Sequence, residues 1–346
     1  MTRKQTTALL ALALCGLTGT APAWDSAGHE QIADVAWTKL TPHAKKEVAA
    51  ILAAGDPSFR PTGSTAAAVR RAFDLAATFP DYLKTHTDTL YEPLVGPMNA
   101  RWQPHLDPLT TDREAFRCRT WHYYDTPIRF TGAVPAVKAS NALVALTLAR
   151  QQIRALEAAG SSDRRTECWW LYWVEHLTGD LHQPLHCATS CQFSATGDAG
   201  GNLFKLGIPD PERPDRTMNL HAYWDTGIAR AVQHEKAGGL SDAVSAVSRR
   251  WTSDPGLAPS TAEVRDLSVR SWIAAGARLA DRSVYAGITV GGVPSEDYSR
   301  RQAMICERQS VLAGERLARW LNSALGQPSQ RRGANMRGAP SSPVRR

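Results

Sequence analysis

Three histidines and an aspartate lie within eleven residues in the stretch "HLTGDLHQPLH", which runs from His176 to His186. His176 and Asp180 are four residues apart, so they would share one face of a helix. The stretch "NLHAYWD" repeats this spacing with His221 and Asp225. Imidazole and carboxylate groups bind zinc where no thiolate is offered. A single such pair is more often structural, but two pairs with His186 between them favour a metal site.

Five other histidines are interpreted as structural. His182 would point to the opposite helical face from His176. The rest stand alone in the sequence and are interpreted as surface or core residues: His43, His86, His105 and His234.

Helical spacing of apolar residues predicts the elements that would position these groups. A helix over Thr166–Leu181 is closed by Pro184, and a helix over Val137–Ala159 stops at Gly160. Further helices are predicted over Ala27–Leu40, Pro42–Ala54, Thr65–Phe79, Asn219–Val232, Asp242–Trp251, Ala262–Leu279 and Glu296–Leu325.

Strand signals are few, and they are confined to Thr120–Tyr124 and to a hairpin around Asn202–Leu206. The sequence therefore predicts a single, mainly α domain with a small β-hairpin over residues 24–325. The Pro-rich stretch Glu92–Pro108 is long for a loop in a compact domain, and long ordered loops often carry function.

Residues 1–23 predict a secretory signal peptide, with a charged start, an apolar run over Ala8–Leu17 and small residues at Ala21–Ala23. The apolar run is too short to span a membrane. Lipidation at Cys15 is a less favoured alternative because a leucine precedes that cysteine. The protein is expected to be secreted or periplasmic, with Trp24 as its mature N-terminus.

The formal net charge of +7 lies outside the predicted domain. Two positive charges precede residue 24, and five arginines without any acidic residue lie in the Pro/Gly/Ser-rich tail over residues 326–346. This tail is predicted to be disordered. Because residues 24–325 carry no net charge, overall charge gives no argument for nucleic-acid binding. The tail would bind polyanions or, more simply, solubilise the chain.

Five cysteines remain after the predicted cleavage, and in an oxidising compartment some of them are expected to form disulfides. Cys187 and Cys191 are close enough in sequence to close a small loop. A second pair would come from the other three, and the sequence leaves that choice open: Cys118, Cys168 and Cys306.

The chain resembles the zinc-dependent nucleases of the S-one/P-one type, which share a fold with bacterial zinc phospholipase C. The matching pieces are "WDSAGH" at 24–29, "FPDYLK" at 79–84, "WHYYD" at 121–125, "HLTGDLHQPLH", "GGN" at 200–202, "NLHAYWD" and "VLAGERLARWLN" at 311–322. They follow the family's order over nearly all of residues 24–322. The set as a whole is specific, although no single piece would be.

The resemblance implies three zinc ions, with one aspartate bridging two of them. The ligands of the first ion would be Asp81, His122, His176 and Asp180. The ligands of the second would be Asp180, His29 and the terminal amine and carbonyl oxygen of Trp24. The ligands of the third would be His186, His221 and Asp225. A free terminal amine has a pKa of about 8, so zinc can displace its proton near neutral pH.

The reaction implied by this resemblance is attack of zinc-activated water on a phosphodiester. Asp81 and Asp180 would hold the catalytic ions, and Lys84 would stabilise charge on the phosphoryl group. Lys84 is alternatively a solvated lysine at a helix end. Tyr123 would stack on a nucleobase, or else it belongs to the core. Asp125 would accept hydrogen bonds from the base edge. Asn202 would bind phosphate, or else it shapes the turn after two glycines.

The expected activity is hydrolysis of single-stranded DNA and RNA to 5′-phosphorylated nucleotides, with 3′-nucleotidase activity as a further expectation. Stacking implies a single-strand preference because duplex bases must first unpair. One alternative is a zinc-dependent phospholipase C acting on phospholipid, although Asp225 favours the nuclease branch because the lipase branch tends to have glutamate there. Another is a non-catalytic extracellular zinc-binding protein. A monomer is expected.

Overall fold

The computed structural model describes residues 24–84, 86, 118–130, 132, 134–192, 194–211, 213–235 and 239–326. The predicted signal peptide, the stretch Glu92–Pro108 and all but the first residue of the arginine-rich tail lie outside these residues. Among the helices of the described residues, none combines the length and the apolar character that a membrane crossing requires.

The prediction of a mainly α fold is confirmed. The helices are α1 (Ser26–Lys39), α2 (Pro42–Leu52), α3 (Ala66–Ala76), α4 (Ala142–Ala158), α5 (Arg164–Asp180), α6 (Leu220–Asp225), α7 (Gly227–Gln233), α8 (Leu240–Ser253), α9 (Thr261–Arg265), α10 (Val269–Leu279) and α11 (Glu296–Leu325). Residues 79–84 are also helical. A π-helical turn over Ala280–Val284 extends α10.

Polar side chains begin several of these helices by accepting otherwise unpaired backbone N–H groups. The side chain of Asp25 accepts the N–H of Gly28 at 2.9 Å and starts α1. Asn141 caps α4, and Asp163 caps α5. The N-cap of α4 explains why this helix begins at Ala142 rather than at the predicted Val137.

Two predicted helices are each divided in two, and the single-helix predictions are wrong at these points. The predicted helix Asn219–Val232 is interrupted at Thr226, whose ψ of 4° leaves α-helical geometry. The predicted helix Ala262–Leu279 is interrupted because Asp266 is extended, and the side chain of Ser268 then caps α10. Local hydrogen bonds thus override a continuous apolar pattern.

The predicted strand Thr120–Tyr124 is also wrong, because Arg119–His122 forms a 3₁₀ turn. Strand β1 (Thr126–Ile128) follows this turn and pairs in parallel with β2 (Ala188–Ser190). The predicted hairpin exists, but it is formed by β3 (Lys205–Pro209) and β4 (Thr217–Asn219), so it begins later than predicted.

Helix α5 is the centre of the domain, since every residue from Thr166 to Asp180 is buried. A helix that is enclosed on all sides belongs to the core rather than to the surface. Helix α1 lies beside it and packs against α3, α8 and α11. Gly314 of α11 allows this approach, because a Cβ atom at that position would collide with the side chain of Val35 in α1.

The disulfide prediction is wrong for the described cysteines, which are buried free thiols: Cys118, Cys168, Cys187, Cys191 and Cys306. Strand β2 separates Cys187 from Cys191. An extended chain rises by about 3.3 Å per residue, which separates these two residues by more than the roughly 7 Å that a disulfide spans between Cα atoms.

Candidate metal centre

The last turn of α5 brings His176 and Asp180 to the centre of the domain, where both are fully buried. The Nδ1 atom of His176 lies 2.8 Å from the carbonyl oxygen of Ala77, which can only accept a hydrogen bond. Nδ1 therefore carries a hydrogen, and in the neutral ring Nε2 keeps its lone pair. That Nε2 lies 3.3 Å from Oδ2 of Asp180, as the four-residue spacing predicts.

Helix α1 places His29 on the other side of the same aspartate. Its Nε2 lies 3.4 Å from Oδ1 of Asp180, and its ring stacks on that of His176 with centroids 3.9 Å apart. Gly179 leaves the necessary space, because a Cβ atom there would lie 3.0 Å from Nδ1 of His29. Asp180 thus offers one oxygen to His29 and the other to His176.

Asp81 and His122 complete this half of the centre and, together with His29, His176 and Asp180, form the first cluster. Asp81, in the helical segment 79–84, places Oδ1 3.7 Å from Nε2 of His176 and 3.8 Å from Nδ1 of His122. His122, at the end of the 3₁₀ turn, places Nδ1 3.1 Å from Oδ2 of Asp180. The two aspartates therefore surround the same set of imidazoles.

A second cluster is formed by His186, His221 and Asp225. Nε2 of His221 lies 3.3 Å from Oδ2 of Asp225 and 3.1 Å from Nε2 of His186. His186 also approaches Asp180, with 4.0 Å between Nδ1 and Oδ2. The two clusters are therefore adjacent, with Asp180 beside both.

The turn before β3 holds His221 in place. Nδ1 of His221 donates to the carbonyl oxygen of Gly200 at 2.7 Å. Gly200 has a φ of +61°, and a Cβ atom there would lie 2.6 Å from the carbonyl oxygen of Leu185, so a side chain would be both strained and obstructed. Asn202 donates from Nδ2 to the carbonyl oxygen of Ala199 at 2.8 Å, and this contact shapes the same turn.

The donor set fits zinc ions. Three groups have ligand atoms within 4.8 Å of one another: His29 with His176 and Asp180, Asp81 with His122 and His176, and His186 with His221 and Asp225. Several of their buried polar atoms make no hydrogen bond: both ring nitrogens of His29, Nε2 of His122, Oδ1 of Asp180 and Oδ2 of Asp225. Buried polar atoms without partners are costly. Zinc binds nitrogen and oxygen atoms of this kind, so ions in these groups would satisfy Nε2 of His29 and the oxygen atoms of Asp180 and Asp225, which face neighbouring ligand atoms.

Burial also prepares three of the imidazoles for metal binding. It lowers the pKa of His29 to about 4 and the pKa of His122 and of His221 to about 3. These rings are therefore neutral near pH 7 and offer lone pairs. Burial would raise the pKa of Asp180, but His176 and His122 outweigh burial and hold that pKa well below its usual value.

Trp24 is anchored at this centre, although the predicted role of its backbone atoms stays a prediction. Its side chain is fully buried, and the indole Nε1 donates to the carbonyl oxygen of Gly179 at 3.0 Å. The next residue, Asp25, donates its N–H to the carbonyl oxygen of Asp225 at 3.4 Å. The chain therefore enters the domain between the two clusters.

Lys84 lies next to the first cluster. Its Nζ is 2.6 Å from Oδ1 of Asp81, and only 14% of its side chain is exposed. The alternative of a solvated lysine does not describe this environment. A positive charge beside the predicted zinc ligands is placed to contact a bound anion.

The two tyrosines of the "WHYYD" motif lie in different environments. Tyr124 packs against the core cluster around α4 and α5, whereas Tyr123 belongs to neither hydrophobic core and is half-buried. Asp125 is also half-buried, and burial raises its pKa to about 6. The alternative of Tyr123 as a core residue therefore does not hold.

Gln183 also contributes to the centre, although the sequence did not predict it. Its Nε2 donates to Oδ1 of Asp225 at 2.6 Å, and its Oε1 accepts the N–H of Leu185 at 2.6 Å. Its position inside the "HLTGDLHQPLH" stretch was the available signal. His182 points away from the cluster and bonds to Arg316, as its helical position predicted.

A mainly helical domain with clustered histidines and aspartates at its centre has the features of a metal-binding protein, and comparison with known proteins identifies the family. The model of the S1/P1 Nuclease family matches residues 24–326, so the chain belongs to this family.

Its relatives include plant and fungal enzymes. The chain is 27% identical over 183 residues to Endonuclease 2 of Arabidopsis thaliana. The aligned region covers 51% of this chain and 58% of that protein. It is 30% identical over 178 residues to Nuclease S1 of Aspergillus oryzae, covering 46% and 55% respectively. The chain thus spans a little over half the length of these relatives.

Proposed function

We propose that this protein is a zinc-dependent nuclease that hydrolyses single-stranded DNA and RNA to 5′-phosphorylated nucleotides and removes 3′-terminal phosphates. The observation that carries the proposal is the convergence of eight histidine and aspartate side chains, seven of them buried and Asp81 partly exposed, into three adjoining groups. Membership of the S1/P1 Nuclease family supports nucleic acid as the substrate.

Zinc in these groups would supply Lewis acidity and activated water for attack on phosphorus. The protein's own contribution is orientation. Backbone carbonyl oxygens fix the rings of His176, His186 and His221 through their Nδ1 atoms. Such second contacts raise the basicity of a ligand and hold its geometry. Gln183 holds the geometry of Asp225 by donating a hydrogen bond to its Oδ1.

Lys84 is proposed to stabilise the phosphoryl group. Its ammonium is largely buried beside Asp81, so little water screens its charge. A phosphate oxygen bound next to the first cluster would compete with Asp81 for this ammonium. The charge is thus positioned before substrate arrives, which is the condition for electrostatic stabilisation of a transition state.

Tyr123 is proposed to stack on a nucleobase. It is half-buried and lies outside both hydrophobic cores, so part of its ring is available to a ligand. It directly follows His122, which links the stacking surface to the first cluster. Stacking tolerates every base, and an unpaired strand reaches the ring without the cost of opening a duplex.

Secretion and a mature start at Trp24 belong to the same proposal. Trp24 is buried beside the centre, so cleavage before it would release an amine close to the predicted ligands of the second ion.

The test is hydrolysis by the purified mature protein of single-stranded DNA, RNA, duplex DNA and phosphatidylcholine. Cleavage should be fastest on the single strands, disappear on chelation and return with zinc. Asp180→Asn should abolish it, whereas Asp242→Asn, an exposed position on α8, should not. Preferential cleavage of phosphatidylcholine would indicate a phospholipase C instead. Equal, undetectable hydrolysis by the wild type and Asp180→Asn would indicate a non-catalytic zinc-binding protein.

A further inference from the structure

Lys138 lies at the edge of the predicted stacking surface. Its Nζ donates to the hydroxyl of Tyr123 at 2.8 Å and is 5.3 Å from the centroid of that ring. An ammonium bonded to the hydroxyl at this distance from the centroid lies beyond the rim of the ring rather than above it. Lys138 therefore leaves the face of Tyr123 to a stacked base and places a donor at the edge of that base.

The backbone fixes Lys138 relative to Tyr123. Nδ2 of Asn141 donates to the carbonyl oxygen of Lys138 at 2.6 Å, while Oδ1 of the same residue caps α4. The N–H of Ala142 donates to the carbonyl oxygen of Tyr123 at 3.0 Å. Both residues are thus tied to the start of one helix, so their spacing does not depend on a flexible side chain alone.

A carboxylate acceptor accompanies this donor. Asp125 follows Tyr123 by two residues. Burial raises its pKa, the positive charge of Lys138 lowers it, and the negative charge of Asp198 raises it. Asp198 is held by the hydroxyl of Tyr285 at 2.8 Å. A phosphate bound to Lys138 would meet the like charge of Asp125. The charges therefore favour a neutral ligand that presents a hydrogen-bond acceptor and donors together, as a nucleobase edge does.

We propose that Lys138 and Asp125 read the edge of the base stacked on Tyr123 and select guanine. The inference rests on the proposed nuclease function. Guanine presents its O6 carbonyl to a lysine, a common specific contact. Its neighbouring N1–H and N2–H₂ groups match the two oxygens of a carboxylate. Adenine places an amino group where guanine has O6, so it opposes the ammonium with another donor.

The experiment measures kcat/KM of the zinc-loaded mature protein on dinucleotides that differ in one base, with each of the two positions varied in turn. The wild type should prefer guanine to adenine by about tenfold at one position, as one good base contact allows. Lys138→Met should lower cleavage at guanine by about tenfold and change cleavage at adenine by less than about twofold. Lys138→Arg should retain the guanine preference because a guanidinium also donates to O6.

Lys46→Met is the matched control, since Lys46 is an exposed lysine on α2, and it should keep the wild-type base profile. Because the side chain of Lys138 is exposed, thermal melting should confirm that Lys138→Met still folds. An equal loss on all four bases would overturn the inference in favour of a phosphate contact, and an unchanged base profile would also overturn it. Absence of cleavage by the zinc-loaded wild type and Lys46→Met would overturn the nuclease function itself.

Discussion

His186 and His221 point their Nε2 atoms at each other across 3.1 Å, although neither nitrogen has a hydrogen to donate. Each ring donates its Nδ1–H to a backbone carbonyl, at His122 and at Gly200 respectively. Both Nε2 atoms therefore carry lone pairs. Facing lone pairs repel each other unless a cation lies between them. The pair is thus arranged as a cation site rather than as a hydrogen bond.

Removal of zinc is expected to destabilise the fold, because this repulsion and the unpaired oxygen atoms of Asp180 and Asp225 would be left unrelieved. At free zinc a thousandfold above Kd, ligand linkage contributes about 4 kcal/mol. For a domain of this size that corresponds to a fall in Tm of roughly 8 °C. Calorimetry before and after chelation measures it. Zinc should restore the Tm and magnesium, which prefers oxygen ligands, should not. An unchanged Tm would contradict the assignment.

The start of the mature chain is expected to determine zinc content. A protein that begins at Trp24 has a terminal amine, whereas one that retains Ala23 has an amide nitrogen, which is a poor ligand. The shorter form should bind one more zinc ion per chain, as measured by elemental analysis of dialysed protein. Circular dichroism should show the same helix content for both. Equal zinc contents would exclude the amine as a ligand.

Gln183→Leu is expected to weaken the group formed by His186, His221 and Asp225. Loss of the bond from Gln183 to Asp225 frees that carboxylate to rotate, and second contacts of this kind affect metal affinity by about 10- to 100-fold. Competition with a fluorescent zinc chelator measures the affinity. Asn322→Leu removes another side-chain amide with two hydrogen bonds, to Thr41 and to Lys39 at the opposite end of α1 from His29, and it should leave zinc affinity unchanged.

Gly314→Ala is expected to destabilise the contact between α1 and α11. The added methyl group meets the side chain of Val35 and the carbonyl oxygen of Ile32, and overpacking of this kind costs about 1–3 kcal/mol. Urea unfolding gives the free energy. Gly63→Ala is the control because no atom lies within 4 Å of its added methyl group. Equal unfolding free energies for the two variants would show that the contact between α1 and α11 accommodates the added methyl group.

Glu263→Gln is expected to change stability in a pH-dependent way. Burial opposes ionisation of Glu263, but Arg308 and Ser260 outweigh burial and lower its pKa to about 2. A lowered pKa means that ionised Glu263 stabilises the folded state above the ordinary pKa of 4.5 and loses this contribution as pH falls toward 2. Thermal melts should show a deficit for the variant at pH 7 that shrinks below about pH 4. A constant deficit would refute the assignment.

The sequence encodes the centre of the fold well because its signals there are local. The apolar pattern of α5 and the spacing of His176 and Asp180 depend only on helical geometry. The break at Thr226 and the 3₁₀ turn at Arg119–His122 depend on hydrogen bonds that a periodic pattern does not report.

Contacts between segments far apart in the sequence could not be predicted either. Lys138 meets Tyr123 because α4 begins beside the "WHYYD" motif, and no spacing rule connects the two residues. The disulfide prediction was wrong because an oxidising compartment alone does not bring two thiols together. The cysteines are instead distributed through the core as small apolar residues.

The packing of α1 on α11 makes the order of synthesis relevant to activity. His29 lies on α1, near the beginning of the domain, whereas α11 is the last helix described. A chain interrupted before Glu296 would leave α1 without this support, and the imidazole of His29 would lack a fixed position. The predicted metal centre would then be complete only after the C-terminal helix has docked.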